Sequence, residues 1–187
     1  MTYIDADLYR LSAEALEEAI AALPPQRRDT VSRYHHELGR RQGLLAYQLL
    51  CRGLQEEYGI TQPPTFTYGE YGKPYLTDHP DIFFNLSHCK TAVACTIAPY
   101  PVGIDIESIR PVKEPVVRYA MNEEEAERIL SSPTPDLEFS RLWTRKEALL
   151  KLTGRGINDN MRDILKDCQA TIETTLCPHY VFSIAYH

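Results

Sequence analysis

Asp105 and Glu107 stand two apart in the run VGIDIESIR, inside an otherwise apolar stretch. In a β-strand, residues two apart share a face, so both carboxylates point one way while Ile104 and Ile106 point the other. Taken alone, that pattern describes a half-buried strand with one solvated face. A second pair follows in WTRKEALLK, where Glu147 and Lys151 lie four apart and are neighbours on one face of a helix. Leu142, Leu149 and Leu152 form the apolar stripe of that helix, and the pair falls largely off it. Trp143, the only tryptophan, is expected to pack between two halves of the chain.

Further candidates lie upstream. FNLSHCK places Asn85, Ser87 and His88 at the end of an apolar run; each can donate to phosphate oxygens, and a polar turn would look the same. YGKPYL puts Lys73 on a turn held by Gly72 and Pro74. Arg27, Arg28, Arg33, Arg40 and Arg41 crowd one short segment, and the planar guanidinium fork suits a polyanion.

The elements that must position these groups can be read in order. LSAEALEEAIAALPP predicts a short helix with Ser12 as N-cap, ended by Pro24-Pro25. A longer helix is predicted from Arg27 to Tyr58, stopped by Gly59. TFTYGEYGKPYL reads as strand, loop and strand, and IFFNLSHCK, TAVACTIAPY and VGIDIE follow as apolar segments around polar turns. EPVVRYAMNEEEAERILSS predicts one helix. FSRLWTRKEALLKLTGRG predicts a stronger one, stopped by Gly154 and Gly156, and YVFSIAYH a final β-type run. RRQGLLAYQLLCRG echoes TRKEALLKLTGRG, and TAVACTIAPY echoes YVFSIAYH. The echo predicts an α+β fold of two similar halves, 1–101 and 102–187, each a long helix on a small, mostly antiparallel sheet. Duplication of this kind creates a cleft between like halves, a common ligand site.

Composition sets outer limits. The chain has 187 residues, is 43% apolar, and carries 26 acidic against 20 basic side chains for a formal charge of −6. That charge argues against a general nucleic-acid binder. The start, MTYIDADLYR, has no apolar leader and no run approaches a membrane span, so a cytoplasmic protein without membrane contact is expected. Five cysteines without a C-x-x-C pair argue against a disulfide framework or zinc site.

FNLSHC, then VGIDIE, then WTRKEALLKLTGRG, with YGKP and an Arg-rich helix upstream, resembles the signature of the Sfp-type 4′-phosphopantetheinyl transferases over residues 24–157. The resemblance implies transfer of the phosphopantetheine arm of coenzyme A to a serine of an apo acyl or peptidyl carrier protein, releasing 3′,5′-ADP. It implies that Asp105, Glu107 and Glu147 bind Mg²⁺ and that Lys151 contacts the transferred phosphate. Lys73, Ser87 and His88, with Arg27 or Arg28 and Arg41, resemble contacts to coenzyme A. A hard cation with oxygen ligands suits three carboxylates at a pyrophosphate. Either Glu147 or an acidic residue of NEEEAE such as Glu124 could accept the serine proton. Cys89 stands where the family commonly has a serine, and residues 158–187 are shorter than the family's region, which predicts a reduced second sheet. A monomer is expected. A metal-dependent nucleotide pyrophosphate hydrolase and a non-catalytic coenzyme A or carrier-binding module are the alternatives.

Overall fold

The computed structural model describes residues 1–154, 161–166 and 168–187. The expected stop at Gly156 lies outside them. The chain opens with a strand the sequence reading missed, β1 (Thr2–Asp5), followed by α1 (Ala13–Ala21), whose first turn is capped by Ser12 accepting from the Ala15 amide.

The single helix expected from Arg27 to Tyr58 is two helices, α2 (Pro25–Ser32) and α3 (Glu37–Tyr58). A straight helix would hold Val31 about 20 Å from Leu44. The break at residues 33–36 lets α2 fold back, so that Leu16, Ile20, Val31, Leu44 and Tyr47 share one apolar cluster. Burial of that cluster outweighs the continuous helix.

Next come the hairpin β2 (Phe66–Tyr68) and β3 (Pro74–Leu76), then β4 (Phe83–His88), β5 (Val93–Ala98) and β6 (Val102–Ser108). The segment FNLSH is therefore strand β4, not a polar turn. The helix expected over EPVVRYAMNEEEAERILSS also divides, into α4 (Glu114–Ala120) and α5 (Glu123–Leu130). Met121, in extended conformation, ends the first and Asn122 caps the second: its side chain accepts from the Glu125 amide while Glu125 returns to the Asn122 amide. α6 (Pro135–Thr153) stops at Gly154 in the left-handed conformation, and β7 (Thr171–Leu176) and β8 (Tyr180–Tyr186) complete the chain.

Among the described residues, all strand pairs are antiparallel. One three-stranded sheet runs β1-β5-β4 and another β6-β8-β7. Each is built as strand, long helix, strand, strand, with the third strand at the centre. Among the described residues, the second sheet thus has as many strands as the first.

α3 packs on the first sheet through Leu45, Leu49, Phe84, Val93 and Ile97. α6 packs on the second through Ala148, Leu149, Leu152 and Ala185. Ile104 and Ile106 on β6 meet Ala92, Ala94 and Cys89 of the first half. Trp143 does not lie between halves; it stacks on Phe139 in the cluster of α4, α5 and α6. No described helix is long and apolar enough to cross a membrane.

Candidate active site where β4, β6 and α6 meet

The site begins with a glycine. β6 runs so close to α6 that a Cβ on Gly103 would sit 2.1 Å from the Ala148 carbonyl oxygen and 2.4 Å from the Leu152 nitrogen. Only glycine lets the strand approach the helix backbone this closely. That approach sets Asp105, two residues on, beside Lys151.

β4 approaches β6 from the other side. No ladder joins them, yet the Ile104 amide donates to Asn85 Oδ1 at 3.0 Å and the Ile106 amide to Ser87 Oγ at 3.3 Å. Asn85 and Ser87 are two apart, as are their partners, so one face of β4 satisfies one row of β6 amides. The N-x-S spacing read as phosphate donors thus first closes the seam between the sheets.

Ser87 also belongs to a charged trio. Its hydroxyl donates to Asp105 Oδ1 at 2.9 Å and accepts from Lys151 Nζ at 2.8 Å, while Lys151 reaches the same Asp105 oxygen at 2.6 Å. Asp105 is buried and Lys151 part-exposed. The second oxygen, Asp105 Oδ2, is buried without a hydrogen-bond partner. Burial pushes the Glu147 carboxyl upward, with Asp105 and Glu107 adding to the rise and Lys151 opposing it. Glu107 is likewise raised by burial and then by Asp105, against Arg110 and Lys151. Three carboxylates thus repel one another around one ammonium, the conflict a further cation relieves.

Among the described residues, no three His, Cys, Asp or Glu side chains close into a ready-made metal cage. Lys151 Nζ stands against Asp105 in this arrangement. The donor set nonetheless fits a hard divalent ion: an all-oxygen, acidic group with one buried carboxylate oxygen lacking a partner.

A cavity of about 230 Å³ opens beside Lys151 of this trio, lined by Tyr71, Lys73, Asn85, Glu147, Lys151 and Gly154 among others. Its wall combines the β2–β3 turn, β4 and the end of α6. Lys73 Nζ donates to the carbonyls of Lys151 at 2.6 Å and Leu152 at 3.1 Å, a cation on the C-terminal turn of α6. Burial lowers the Lys73 pKa. His88 is exposed at the end of β4, yet the protein packed around it, and then the Lys151 charge, hold its pKa down.

The structure does not bring every candidate here. Arg41 is buried and donates to Glu37 Oε1 and to the carbonyls of Leu8 and Leu11. Arg27 donates to the Gly43 carbonyl and lies over the Tyr47 ring. Arg28 is exposed and reaches the Ala21 carbonyl at 3.5 Å. Glu124 is exposed and lines a separate cavity with Arg128 and Lys166. Its neighbour Glu125 is the one that turns inward, to the fully buried Lys146. Sequence reading missed that pair, although Lys146 falls on the Leu142–Leu149 stripe, four residues from one and three from the other.

A sequence model of the 4′-phosphopantetheinyl transferase superfamily matches residues 101–184, which hold β6, α6, β7 and most of β8. The chain is 30% identical over 165 residues to a 4′-phosphopantetheinyl transferase of Bacillus subtilis, covering 84% of this chain and 73% of that one. It is 29% identical over 151 residues to 4′-phosphopantetheinyl transferase Sfp of Bacillus subtilis, covering 79% and 67%. To 4′-phosphopantetheinyl transferase AcpT of Salmonella typhimurium it is 35% identical over 151 residues, covering 77% and 69%. The chain belongs to the Sfp-type 4′-phosphopantetheinyl transferase family.

Proposed function

We propose that this protein transfers the 4′-phosphopantetheine arm of coenzyme A to a serine hydroxyl of an apo acyl or peptidyl carrier protein, giving the holo carrier and 3′,5′-ADP. The observation that carries the reading is the charged trio Asp105, Ser87 and Lys151, flanked by two glutamates of raised pKa, with Glu147 and Lys151 at the wall of the Lys73 cavity. Family membership supplies the reaction class.

In this reading Asp105, Glu107 and Glu147 hold Mg²⁺. When bound, the ion neutralises pyrophosphate charge and polarises the phosphorus under attack. Lys73 and His88 bind the phosphates and nucleoside of coenzyme A, with Arg28 available from α2. Arg27 and Arg41 support the site by bracing the α1–α3 region. Ser87 orients Asp105. Lys151 leaves Asp105 for the transferred phosphoryl oxygens, where charge develops. Glu147 takes the serine proton, since it lines the cavity beside Lys151 where the hydroxyl must meet the phosphoryl group. The serine oxygen–phosphorus bond forms as the bond to 3′,5′-ADP breaks. Glu124 stands apart from the charged trio, which favours Glu147 in this role.

The halves 1–101 and 102–187, with their shared strand order, are read as related by an approximate twofold, the site lying in the cleft between them. The protein acts as a monomer in the cytoplasm, with no membrane or nucleic-acid partner.

The test is incubation with coenzyme A, Mg²⁺ and a panel of apo carriers, read by mass spectrometry. A gain of one phosphopantetheine arm on a carrier is expected. Coenzyme A cleaved without any carrier would favour the hydrolase instead, and no change with any carrier refutes the transferase. Glu147→Gln should lose turnover by about 100-fold or more while coenzyme A still binds; unchanged carrier modification would remove Glu147 from the reaction.

A further inference from the structure

The helix that carries Glu147 and Lys151 is held by a buried charge with no part in the reaction just described. Lys146 is 0% exposed. Its Nζ donates to Glu125 Oε2 and to the Arg162 carbonyl oxygen, each at 2.6 Å. Glu125 is at the same time the third residue of α5, with Oε2 accepting from the Asn122 amide at 3.1 Å. The Asn122 side chain and Lys146 share the Arg162 carbonyl, and Arg162 donates to the carbonyls of Arg118 and Tyr119 at the end of α4. One ammonium therefore gathers α4, α5, α6 and residues 161–166.

A buried ion pair is weak evidence of stability, because apolar residues of similar volume hold a core as well or better. It does impose direction: the ammonium must meet two oxygens at hydrogen-bond distance, which an apolar contact does not demand. Lys146 and Glu147 are consecutive on α6, about 100° apart around its axis. A rotation of about 20° would swing the Glu147 carboxylate by about 2 Å and break both Lys146 bonds. Leucines 142, 149 and 152 tolerate such a rotation far better than the ammonium does.

We propose that Lys146 is a positioning residue: its buried pair with Glu125 fixes the rotation of α6 and so holds Glu147 beside Asp105 and Glu107. The role deepens the transferase reading and rests on its metal site.

The test uses Lys146→Met with Glu125→Gln. The glutamine keeps the capping arrangement at Asn122, and the two changes together leave no unpaired charge. Trp143, the only tryptophan, lines the same cavity as Glu107, so quenching of its fluorescence by Mn²⁺ reads arrival of a divalent ion without turnover. The double variant should fold with a melting temperature near that of the wild type. It should need about tenfold more Mn²⁺ for half-quenching and lose kcat by about tenfold, with KM for coenzyme A changed less than about twofold. A folded double variant with Mn²⁺ midpoint and kcat within about twofold of wild type overturns the proposal.

If that chain does not fold, Lys146→Arg decides, since it keeps the charge but moves the donors. A merely stabilising pair leaves its Mn²⁺ midpoint within about twofold, whereas a rotational pin shifts it by about fivefold or more. No Mn²⁺ quenching in the wild-type chain removes the metal site and this role together. Quenching with no carrier modification removes the transferase reading alone.

Discussion

Replacing Gly103 by alanine tests how the site is assembled. The added Cβ would stand 2.1 Å from the Ala148 carbonyl oxygen and 2.4 Å from the Leu152 nitrogen, both backbone atoms with no rotamer to yield. Ordinary carbon–oxygen contact needs about 3.3 Å, so β6 and α6 must separate by about 1.2 Å. Overpacking of this kind costs about 1–3 kcal/mol. The full obstruction by rigid backbone argues for the upper end, about 3 kcal/mol. For a chain of this size each kcal/mol moves the melting point by about 2–4 °C, so a fall of about 6–12 °C is expected. The same displacement carries Lys151 and Glu147 away from Asp105. A misplacement of about 1 Å costs about 100-fold in turnover, and kcat should fall with it. The assays are thermal melting by circular dichroism and single-turnover labelling of an apo carrier. Gly103→Ala that melts within about 2 °C of wild type and keeps full turnover would refute the claim that close approach of β6 and α6 builds the site.

Three further outcomes are expected. Asn85→Ala leaves the buried Ile104 amide without its acceptor, a loss of about 1–3 kcal/mol that urea denaturation should register. Lys73→Met removes the cation on the last carbonyls of α6, which should cost about 0.3–1 kcal/mol and raise the KM for coenzyme A measured by initial rates. Glu107 and Glu147 have folded pKa values above the usual carboxylate value of 4.5, so the folded state binds protons more tightly than the unfolded chain. Their contribution to stability is therefore fully present below the unfolded pKa and is lost as pH rises through the folded one. Melts from pH 4.5 upward should show this decline in wild type and not in the Glu107→Gln, Glu147→Gln double variant, and Mg²⁺ should offset it in wild type alone.

Much of the candidate site's layout was legible because its groups sit at strand and helix periods. Asp105 and Glu107 share a strand face with Ile104 and Ile106 opposite, and Glu147 and Lys151 share a helix face off the leucine stripe. What was not legible depends on contacts distant in sequence. The break between α2 and α3 is set by packing of Val31 against Leu44, which local helix preference does not register. The break at Asn122 did carry a local signal, the N-x-x-E capping pattern, hidden inside a run that otherwise favours helix. Arg41 looked like a phosphate ligand by type and neighbourhood. Its carbonyl partners Leu8 and Leu11 come from a loop whose return to α3 no spacing rule predicts.

The two side-chain bonds from Asn85 and Ser87 to β6 have one more consequence. β4 and β6 are each the outermost strand of their own sheet, the kind of open edge that recruits strands from other molecules. Here each edge is turned toward the other, and the amides of Ile104 and Ile106 that would face water are occupied by short polar side chains. The protein thereby hides two aggregation-prone borders against each other without fusing its sheets into one. A chain cut between Tyr100 and Val102 would release both borders at once, so its fragments would be expected to self-associate unless they were kept together.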